Sequence, residues 1–248
     1  MTGRNKIAAV ITEYRPLSHA DVIVGKFIKG FPTDEGLLQA RVDIASMYLD
    51  QIPENDIGLQ VSEKYGIPIY QSIPKALCPG GNELAVDGVL SIGEHGDYAY
   101  NEKGQHLYPR RFFFEQISGV MATSGRSVPV FSDKHLASNW HDARWMYDRA
   151  CLLNIPFMAG SSLPLFWRNP WLEHELGAPI EDALILSAGP LEAYGYHGLE
   201  ALQAMVERRA GGETGIAALQ CLEGDAVWKA RDEGLWSREL AAAAVEVG

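Results

Sequence analysis

Three short segments of this sequence hold a high density of titratable side chains. They are T-E-Y-R-P-L-S-H (12–19), G-E-H-G-D-Y (93–98) and D-K-H (133–135). Together they supply three histidines, four carboxylates, a lysine and an arginine. Histidines beside carboxylates can transfer protons near neutral pH or hold a metal ion. The three segments are therefore the first candidates for a functional site.

Each of these segments follows an apolar run that predicts a buried β-strand. The predicted strands are Ile7–Ile11, Arg41–Leu49, Ile67–Tyr70, Gly88–Ile92, Val128–Ser132 and Pro156–Gly160. Amphipathic stretches between them predict helices at Ala20–Lys29, Asp56–Tyr65, Phe112–Ser124 and Trp140–Asn154. This alternation predicts an α/β fold, a Rossmann-like doubly wound parallel sheet. Since ligands of such sheets bind outside the carboxyl ends of the strands, we expect the three segments to meet there.

The character of the sequence changes after residue 162. The segment L-P-L-F-W-R-N-P-W-L (163–172) is rich in proline and aromatic residues. Beyond it, apolar runs predict strands at 182–188 and 215–222, and helical spacing predicts helices at 198–208 and 236–245. We therefore predict a Rossmann-like domain over residues 1–162. A partial α+β domain for substrate binding or oligomerisation is predicted over residues 163–248.

Composition excludes several classes of partner. The formal net charge is −11 over 248 residues, whereas a nucleic-acid partner requires a basic face. No apolar run reaches the roughly 18–20 residues that a membrane-spanning helix needs. Three widely spaced cysteines indicate neither a disulfide framework nor a cysteine zinc site. The expected location is the cytoplasm.

The residue types at the predicted sheet edge leave several roles open. A nitrogen and oxygen ligand set for Mn, Zn or Fe is predicted at Glu94, His95, Asp97 and His135. Contacts to substrate are predicted for Glu13, Tyr14, Arg15, His19, Asp97 and Tyr98. Simpler roles compete with these, because E-H-G-D could be only a polar turn and Asp133 could cap the following helix. The convergence of the segments is what favours an enzyme active site.

Four segments resemble one known family. They are E-K-Y-G-I-P-I-Y-Q-S-I-P-K-A-L (63–77), A-V-D-G-V-L-S-I (85–92), V-P-V-F-S-D-K-H-L-A (128–137) and G-P-L-E-A-Y-G-Y-H-G-L-E (189–200). In order and spacing they resemble the glucose–fructose oxidoreductase/inositol dehydrogenase/MocA-like (Gfo/Idh/MocA) family. The resemblance implies an NAD(P)-dependent oxidoreductase that acts on a sugar or cyclitol hydroxyl. It also implies a homo-oligomer formed through the second domain.

The resemblance carries roles onto particular positions. Lys134 falls on the family's catalytic lysine and His197 on its catalytic histidine, and Asp50 falls where an acidic residue binds the ribose. We add His95 to Lys134 and His197 as a catalytic residue. The sequence departs from the family at the phosphate loop, where Ile11, Glu13 and Pro16 replace three glycines. Since Glu13 would repel a pyrophosphate, a standard dinucleotide pose is not expected.

Three functions therefore stay open at the level of sequence. The first is a family-like oxidoreductase that uses NAD(P) in an altered pose. The second is a nucleotide-independent lyase, isomerase or hydrolase on the same fold, with or without a divalent metal. The third is a non-catalytic sugar-binding module.

Overall fold

The computed structural model describes residues 4–160 and 162–247, which fall into two compact units, the first ending at Gly160. The strands of the first unit are β1 (Asn5–Ile11), β2 (Phe31–Thr33), β3 (Gly36–Leu38), β4 (Val42–Leu49), β5 (Ile69–Tyr70), β6 (Gly88–Ile92), β7 (Val130–Asp133) and β8 (Phe157–Gly160). Its helices are α1 (His19–Lys29), α2 (Gly58–Tyr65), α3 (Ile73–Leu77), α4 (Arg110–Ser124) and α5 (Trp140–Leu152).

Six of these strands form one parallel sheet in the order β5-β4-β1-β6-β7-β8. This confirms the predicted Rossmann-like fold, and all six predicted strands belong to the sheet. The order of the strands reverses at β1, which pairs with β4 on one side and β6 on the other. In open α/β sheets, ligands bind at the carboxyl ends of the strands where this reversal occurs. The ends of β1 and β6 are therefore the expected position of a ligand site.

Two apolar cores cover the two faces of the sheet, because alternate strand residues point to opposite sides. Along β1, Ala8 and Val10 belong to a cluster that includes Phe113 and Ile117 of α4. Ile7, Ala9 and Ile11 belong to the other cluster, with Val24 of α1. A strand buried on both faces reads as a continuous apolar run, which is why β1 and β6 can be predicted from sequence.

Two elements of the first unit are absent from the sequence-based prediction. The short strands β2 and β3 form an antiparallel hairpin between α1 and β4. The short helix α3 follows β5 and begins after Ser72, whose side chain accepts a hydrogen bond from the Lys75 amide. Neither element alters the order of the main sheet, so the predicted positions of the three titratable segments are unaffected.

The second unit is helical over its described residues. It contains a 3₁₀ turn (Leu163–Leu165), a π-type turn (Leu191–Gly195) and helices α6 (Tyr196–Val206), α7 (Asp225–Asp232) and α8 (Arg238–Val247). The strands predicted at 182–188 and 215–222 are wrong, because both segments are irregular. An apolar run becomes a strand only when a neighbouring strand satisfies its backbone groups, and residues 162–247 contain none. The α+β description therefore fails for this unit.

In the described part of the chain, no helix is both long enough and apolar enough to cross a membrane.

Candidate active site

A histidine–carboxylate pair lies at the carboxyl edge of the sheet. His19 is the first residue of α1 and Asp133 is the last residue of β7. The Nδ1 atom of His19 lies 2.5 Å from Oδ2 of Asp133. Asp133 is almost fully buried, whereas the His19 side chain remains 29% exposed. When a buried carboxylate accepts the Nδ1–H of a neutral imidazole, the Nε2 lone pair is left to accept a proton.

The two members of this pair carry different roles in the sequence-based prediction. His19 is predicted to contact substrate, whereas the only individual role considered for Asp133 is that of a cap for the following helix. The two are 114 residues apart in sequence. They meet because β1 and β7 flank β6, so the start of α1 and the end of β7 reach across the end of that strand.

A second histidine packs against the first. The rings of His19 and His95 contact edge to face, with centroids 5.2 Å apart. Burial lowers the pKa of His95 below its usual value of 6.5, and the charges of His19 and Arg15 lower it further against the opposing effect of Glu94 and Glu13. His95 is therefore neutral at physiological pH, and a neutral imidazole can donate a hydrogen bond to a substrate oxygen.

The backbone around His95 is held in a sparsely populated conformation. His95 has φ +69° and Lys134 has φ +72°, values that non-glycine residues seldom adopt. Next to His95, Gly96 has φ +111°, and a Cβ there would lie 2.5 Å from the Tyr98 ring. Positive φ at two polar residues of one sheet edge is typical of functional loops, where surrounding contacts maintain the strain.

The pair Glu13–Arg15 lies on the β1–α1 turn at the same edge. The Nε atom of Arg15 donates to Oε1 of Glu13 at 2.5 Å, and Glu13 is almost fully buried. Arg15 lowers the pKa of His95 and Glu13 raises it, so both groups act electrostatically on that histidine. Their predicted contact with substrate stays a prediction, as does that of His19.

Tyr14, by contrast, does not join this group. Its side chain is 1% exposed and packs in the core cluster with Ile11, Leu49 and Ile92. A Cβ at Gly58, the first residue of α2, would lie 3.1 Å from the Cβ of Tyr14, so the helix closes over this side chain. The predicted contact between Tyr14 and substrate is therefore wrong, because the ring fills the core beneath α2.

A buried arginine organises the far side of the edge. Arg110, the first residue of α4, is 3% exposed. Its guanidinium donates to Glu94 and, over 3.0 Å, to Nε2 of His135. Gly93 permits this approach, because a Cβ there would lie 2.7 Å from Cγ of Arg110. Arg110 is missing from the predicted site residues, since an arginine that starts an amphipathic helix gives no signal of burial.

This arginine also explains why the predicted metal site does not form. The ligand atoms of Glu94 and His135 already face the guanidinium of Arg110. This positive charge would repel a metal ion placed between them. Asp97 is exposed, and Gln51 holds it through its main-chain N–H and C=O. Within the described residues, no three histidines, cysteines or carboxylates are grouped so that they could hold a metal. The prediction of Mn, Zn or Fe at Glu94, His95, Asp97 and His135 is therefore wrong.

The residues of the β1–α1 turn do not fit the diphosphate of a dinucleotide. A diphosphate needs free N–H groups at the start of α1. Here Asp21 Oδ2 accepts the Leu17 amide at 3.1 Å, and Ser18 Oγ accepts the Asp21 amide at 3.4 Å. Pro16 has no N–H group to offer. The carboxylate of Asp21 thus occupies a position that an anion would require.

Asp50 follows β4, where a ribose-binding carboxylate is expected. Its two oxygens accept hydrogen bonds from the hydroxyls of Tyr48 and Tyr98, each at 2.7 Å. Burial and the bond to Asp50 raise the pKa of Tyr48 to about 12, so this phenol stays protonated. The predicted role of Tyr98 in substrate binding is untested, but its hydroxyl is engaged in this network.

The remaining predicted catalytic residues belong to different units of the chain. Lys134 directly follows Asp133, and its amide donates to the carbonyl of Gly160 at 3.0 Å. His197 belongs to α6 of the second unit, where its Nδ1 lies 3.7 Å from Glu200. The joint catalytic role of Lys134 and His197, which the family resemblance implies, stays a prediction.

The chain resembles solved structures of dehydrogenases over about two thirds of its length. GenD2 from gentamicin A biosynthesis, in complex with NAD, is 16% identical over 64% of this chain and 35% of its own, with a TM-score of 0.42. An oxidoreductase from Agrobacterium radiobacter, in complex with NAD+, L-tartaric acid and magnesium, is 18% identical over 68% and 38%, with a TM-score of 0.41. A Gfo/Idh/MocA family oxidoreductase from Vibrio cholerae is 14% identical over 64% and 39%, with a TM-score of 0.40.

One of these structures belongs to the family that the sequence resembles. The chain spans little more than a third of the length of these structures. No family model and no curated protein matches the chain.

The lowered pKa of His95 predicts a pH dependence of stability. The unfolded chain binds a proton at His95 near pH 6.5, whereas the folded protein binds it only at lower pH. The contribution of neutral His95 is therefore fully present above pH 6.5 and is lost as the pH falls through the folded-state pKa. Urea unfolding at a series of pH values should show a smaller loss of stability on acidification for His95→Asn than for the wild type. If stability falls equally with pH in the two proteins, the pKa of His95 is not lowered by folding. His141→Asn, which replaces an exposed histidine, is the matched control.

Proposed function

We propose that this protein is an acid–base enzyme that acts on a polyhydroxylated small molecule without a dinucleotide. The observation that carries this proposal is the His19–Asp133 pair, with the ring of His95 against it, at the edge where the strand order reverses. A buried carboxylate that orients a partly exposed histidine is the arrangement of a general base.

The chemistry that suits these groups is removal of a proton from a carbon next to a carbonyl. His19 Nε2 takes the proton, and the electron pair of the broken C–H bond forms a C=C bond while the carbonyl oxygen becomes an enediolate. Neutral His95 donates a hydrogen bond to that oxygen, which stabilises the developing charge. Return of the proton to the former carbonyl carbon, with the hydroxyl proton of the adjacent carbon passing to the former carbonyl oxygen, completes an isomerisation. Loss of a hydroxide from the next carbon would give a lyase, and neither outcome requires an oxidant.

Deuterium exchange tests the proton transfer directly. Aldoses, ketoses and keto-sugar acids are incubated with the protein in D₂O, and ¹H NMR follows the signal of the C–H next to the carbonyl. Enzyme-dependent loss of this signal from at least one compound is the expected result. A protein that binds sugars but exchanges no proton would instead be a non-catalytic binding module.

An oxidoreductase is the second candidate. The strand order, which matches that of dinucleotide-binding sheets, and the position of Asp50 after β4 favour it. The substrate would then be a sugar or cyclitol hydroxyl and the cofactor NAD(P), bound in a pose that avoids the start of α1.

A titration with NADH and NADPH decides between the two candidates. Because Asp21 already accepts the Leu17 amide at the start of α1 and Pro16 offers no N–H group, nicotinamide fluorescence should show no saturable binding up to millimolar nucleotide. Micromolar binding would overturn the nucleotide-independent proposal and establish the oxidoreductase candidate. A dehydrogenase that binds NADH serves as the positive control under the same buffer conditions.

A further inference from the structure

A ladder of stacked rings lies on the loop between β6 and α4, the same loop that carries His95. This aromatic hairpin, residues 98–108, is closed by an antiparallel bridge between Tyr100 and His106. The Leu107 amide donates to Ala99 and the Asn101 amide to Gln105. These bonds hold the hairpin as a small ordered structure rather than an open loop.

The rings of the aromatic hairpin contact one another in sequence, the outer pair stacked and the next pair tilted by 42°. Tyr100 lies on His106 with centroids 4.2 Å apart and planes within 13°. His106 lies 4.2 Å from Tyr108, and the guanidinium of Arg110 lies 4.9 Å from the Tyr108 ring on the next step. Arg110 in turn holds Glu94 and His135. The ladder therefore connects an outer ring to residues of the candidate site.

The outer ring of the ladder is exposed. Tyr100 is 65% exposed although His106 covers one of its faces, so its other face is open to solvent. His106 is itself fixed, because its Nε2 lies 2.9 Å from the carbonyl oxygen of Tyr98. A ring that its own neighbours already order loses little freedom when a ligand stacks on it.

The charge of the residues around the ladder favours a neutral ligand over an anionic one. A flat aromatic face accepts either the C–H face of a sugar ring or a nucleobase. Glu94 is already paired with Arg110. The hairpin and the residue before it carry the exposed carboxylates of Glu102 and Asp97 beside one lysine, Lys103, and the whole chain has a net charge of −11. A nucleotide or sugar phosphate would bring its negative charge against these carboxylates, whereas the hydroxyls of a neutral sugar could donate hydrogen bonds to them.

We infer that the exposed face of Tyr100 is a binding surface for the ring of a neutral saccharide, on the loop that carries His95. This inference rests on the polyhydroxylated ligand of the proposed function but not on its proton transfer. It adds a recognition element that neither the family resemblance nor the sequence motifs assign. The ring would contribute affinity and selectivity, while His19 and His95 act on the reacting carbon.

Saturation-transfer NMR and calorimetry test the inference with a defined set of probes. The probes are maltose, cellobiose and the methyl glycosides of glucose, galactose and mannose, with glucose 6-phosphate and AMP as charged counterparts. At least one neutral probe should bind with transfer to its ring protons. Tyr100→Ala should weaken that binding about tenfold, equivalent to about 1.4 kcal/mol, because the stacking contact is lost.

Two further variants keep the test specific. Tyr100→Phe should bind like the wild type, because stacking needs the ring and not the hydroxyl. Tyr147→Ala is the matched control, since Tyr147 of α5 is 55% exposed but belongs to no ladder, and it should leave binding unchanged. All variants are first checked for an unchanged melting temperature.

The contrary outcomes are equally defined. Failure of every neutral probe to bind, equal binding by Tyr100→Ala and the wild type, or tighter binding of the phosphorylated probes would each overturn the inference. Deuterium exchange is measured separately. Exchange without saccharide stacking would leave the proposed function in place, and stacking without exchange would leave this surface in place and overturn the proton transfer.

Discussion

Replacing His19 by glutamine is expected to lower the rate of deuterium exchange by about 10²–10⁴-fold, which is the usual contribution of a positioned general base. The amide of glutamine can still donate to Asp133, so the buried carboxylate keeps a partner and the fold is retained. It cannot accept the substrate proton. The exchange rate at saturating substrate is the measurement, and the melting temperature is the check on folding.

Asp133→Asn tests the same base through its orienting partner. An asparagine at this position would no longer favour the tautomer in which Nδ1 of His19 carries the proton. We expect a loss of the same order as that for His19→Gln, and no further loss in the double variant, because the two residues act as a unit. His141→Ala, which removes an exposed histidine of α5, is the matched control. Deuterium exchange by His19→Gln at the wild-type rate would show that His19 is not the base.

The second large effect concerns stability. Arg110→Met is expected to lower the free energy of unfolding by about 3–5 kcal/mol, because it leaves Glu94 without its partner in a largely buried position. Burial lowers the pKa of Arg110 below its usual value, and the nearby carboxylates of Glu94 and Asp133 oppose this by stabilising its charge. The measurement is urea unfolding at neutral pH, compared with Arg144→Met.

Arg144 is a suitable control because it pairs with Asp148 on the exposed face of α5, where such ion pairs contribute little. The double variant Arg110→Met with Glu94→Leu removes both charges and should recover much of the lost stability. If Arg110→Met costs less than about 1 kcal/mol, the Arg110 pair does not organise this edge as described. If the double variant recovers nothing, lost packing rather than an unpaired charge is the cause.

These expectations describe a site in which most charges are paired before any ligand arrives. Glu13 pairs with Arg15, Glu94 with Arg110 and Asp133 with His19. Paired and partly buried groups are held in fixed orientations, which is what a proton-transferring site requires. The pairing also explains why the same residue types do not form a metal centre, because Glu13 and Glu94 already have arginine partners and Asp133 is bonded to His19.

The lengths and types of the main elements could be predicted from sequence because they depend on local patterns. A strand covered on both faces is a short apolar run, and β6 has the predicted bounds, Gly88–Ile92. The predicted helix Ala20–Lys29 differs from α1 by one residue. The same logic failed for residues 182–188 and 215–222, since an apolar run does not reveal whether a partner strand exists.

The alternation of strands and helices also determined which segments lie at one edge. Residues that directly follow parallel strands must emerge on the same side of the sheet, whatever their side chains do. This rule placed segments 12–19, 93–98 and 133–135 together correctly. The sequence alone therefore determined the fold class, the edge at which the three segments meet and the absence of a glycine loop for a diphosphate.

Only the tertiary structure decided how the charges at that edge are paired. The partners His19 and Asp133 are 114 residues apart, and no spacing rule connects them. Arg110 bonds both Glu94 and His135, and Tyr14 is a core residue beneath α2. Pairing and burial depend on which side chains from separate helices and strands are brought into contact. These contacts are determined by packing across the whole sheet, and they leave no local pattern in the sequence.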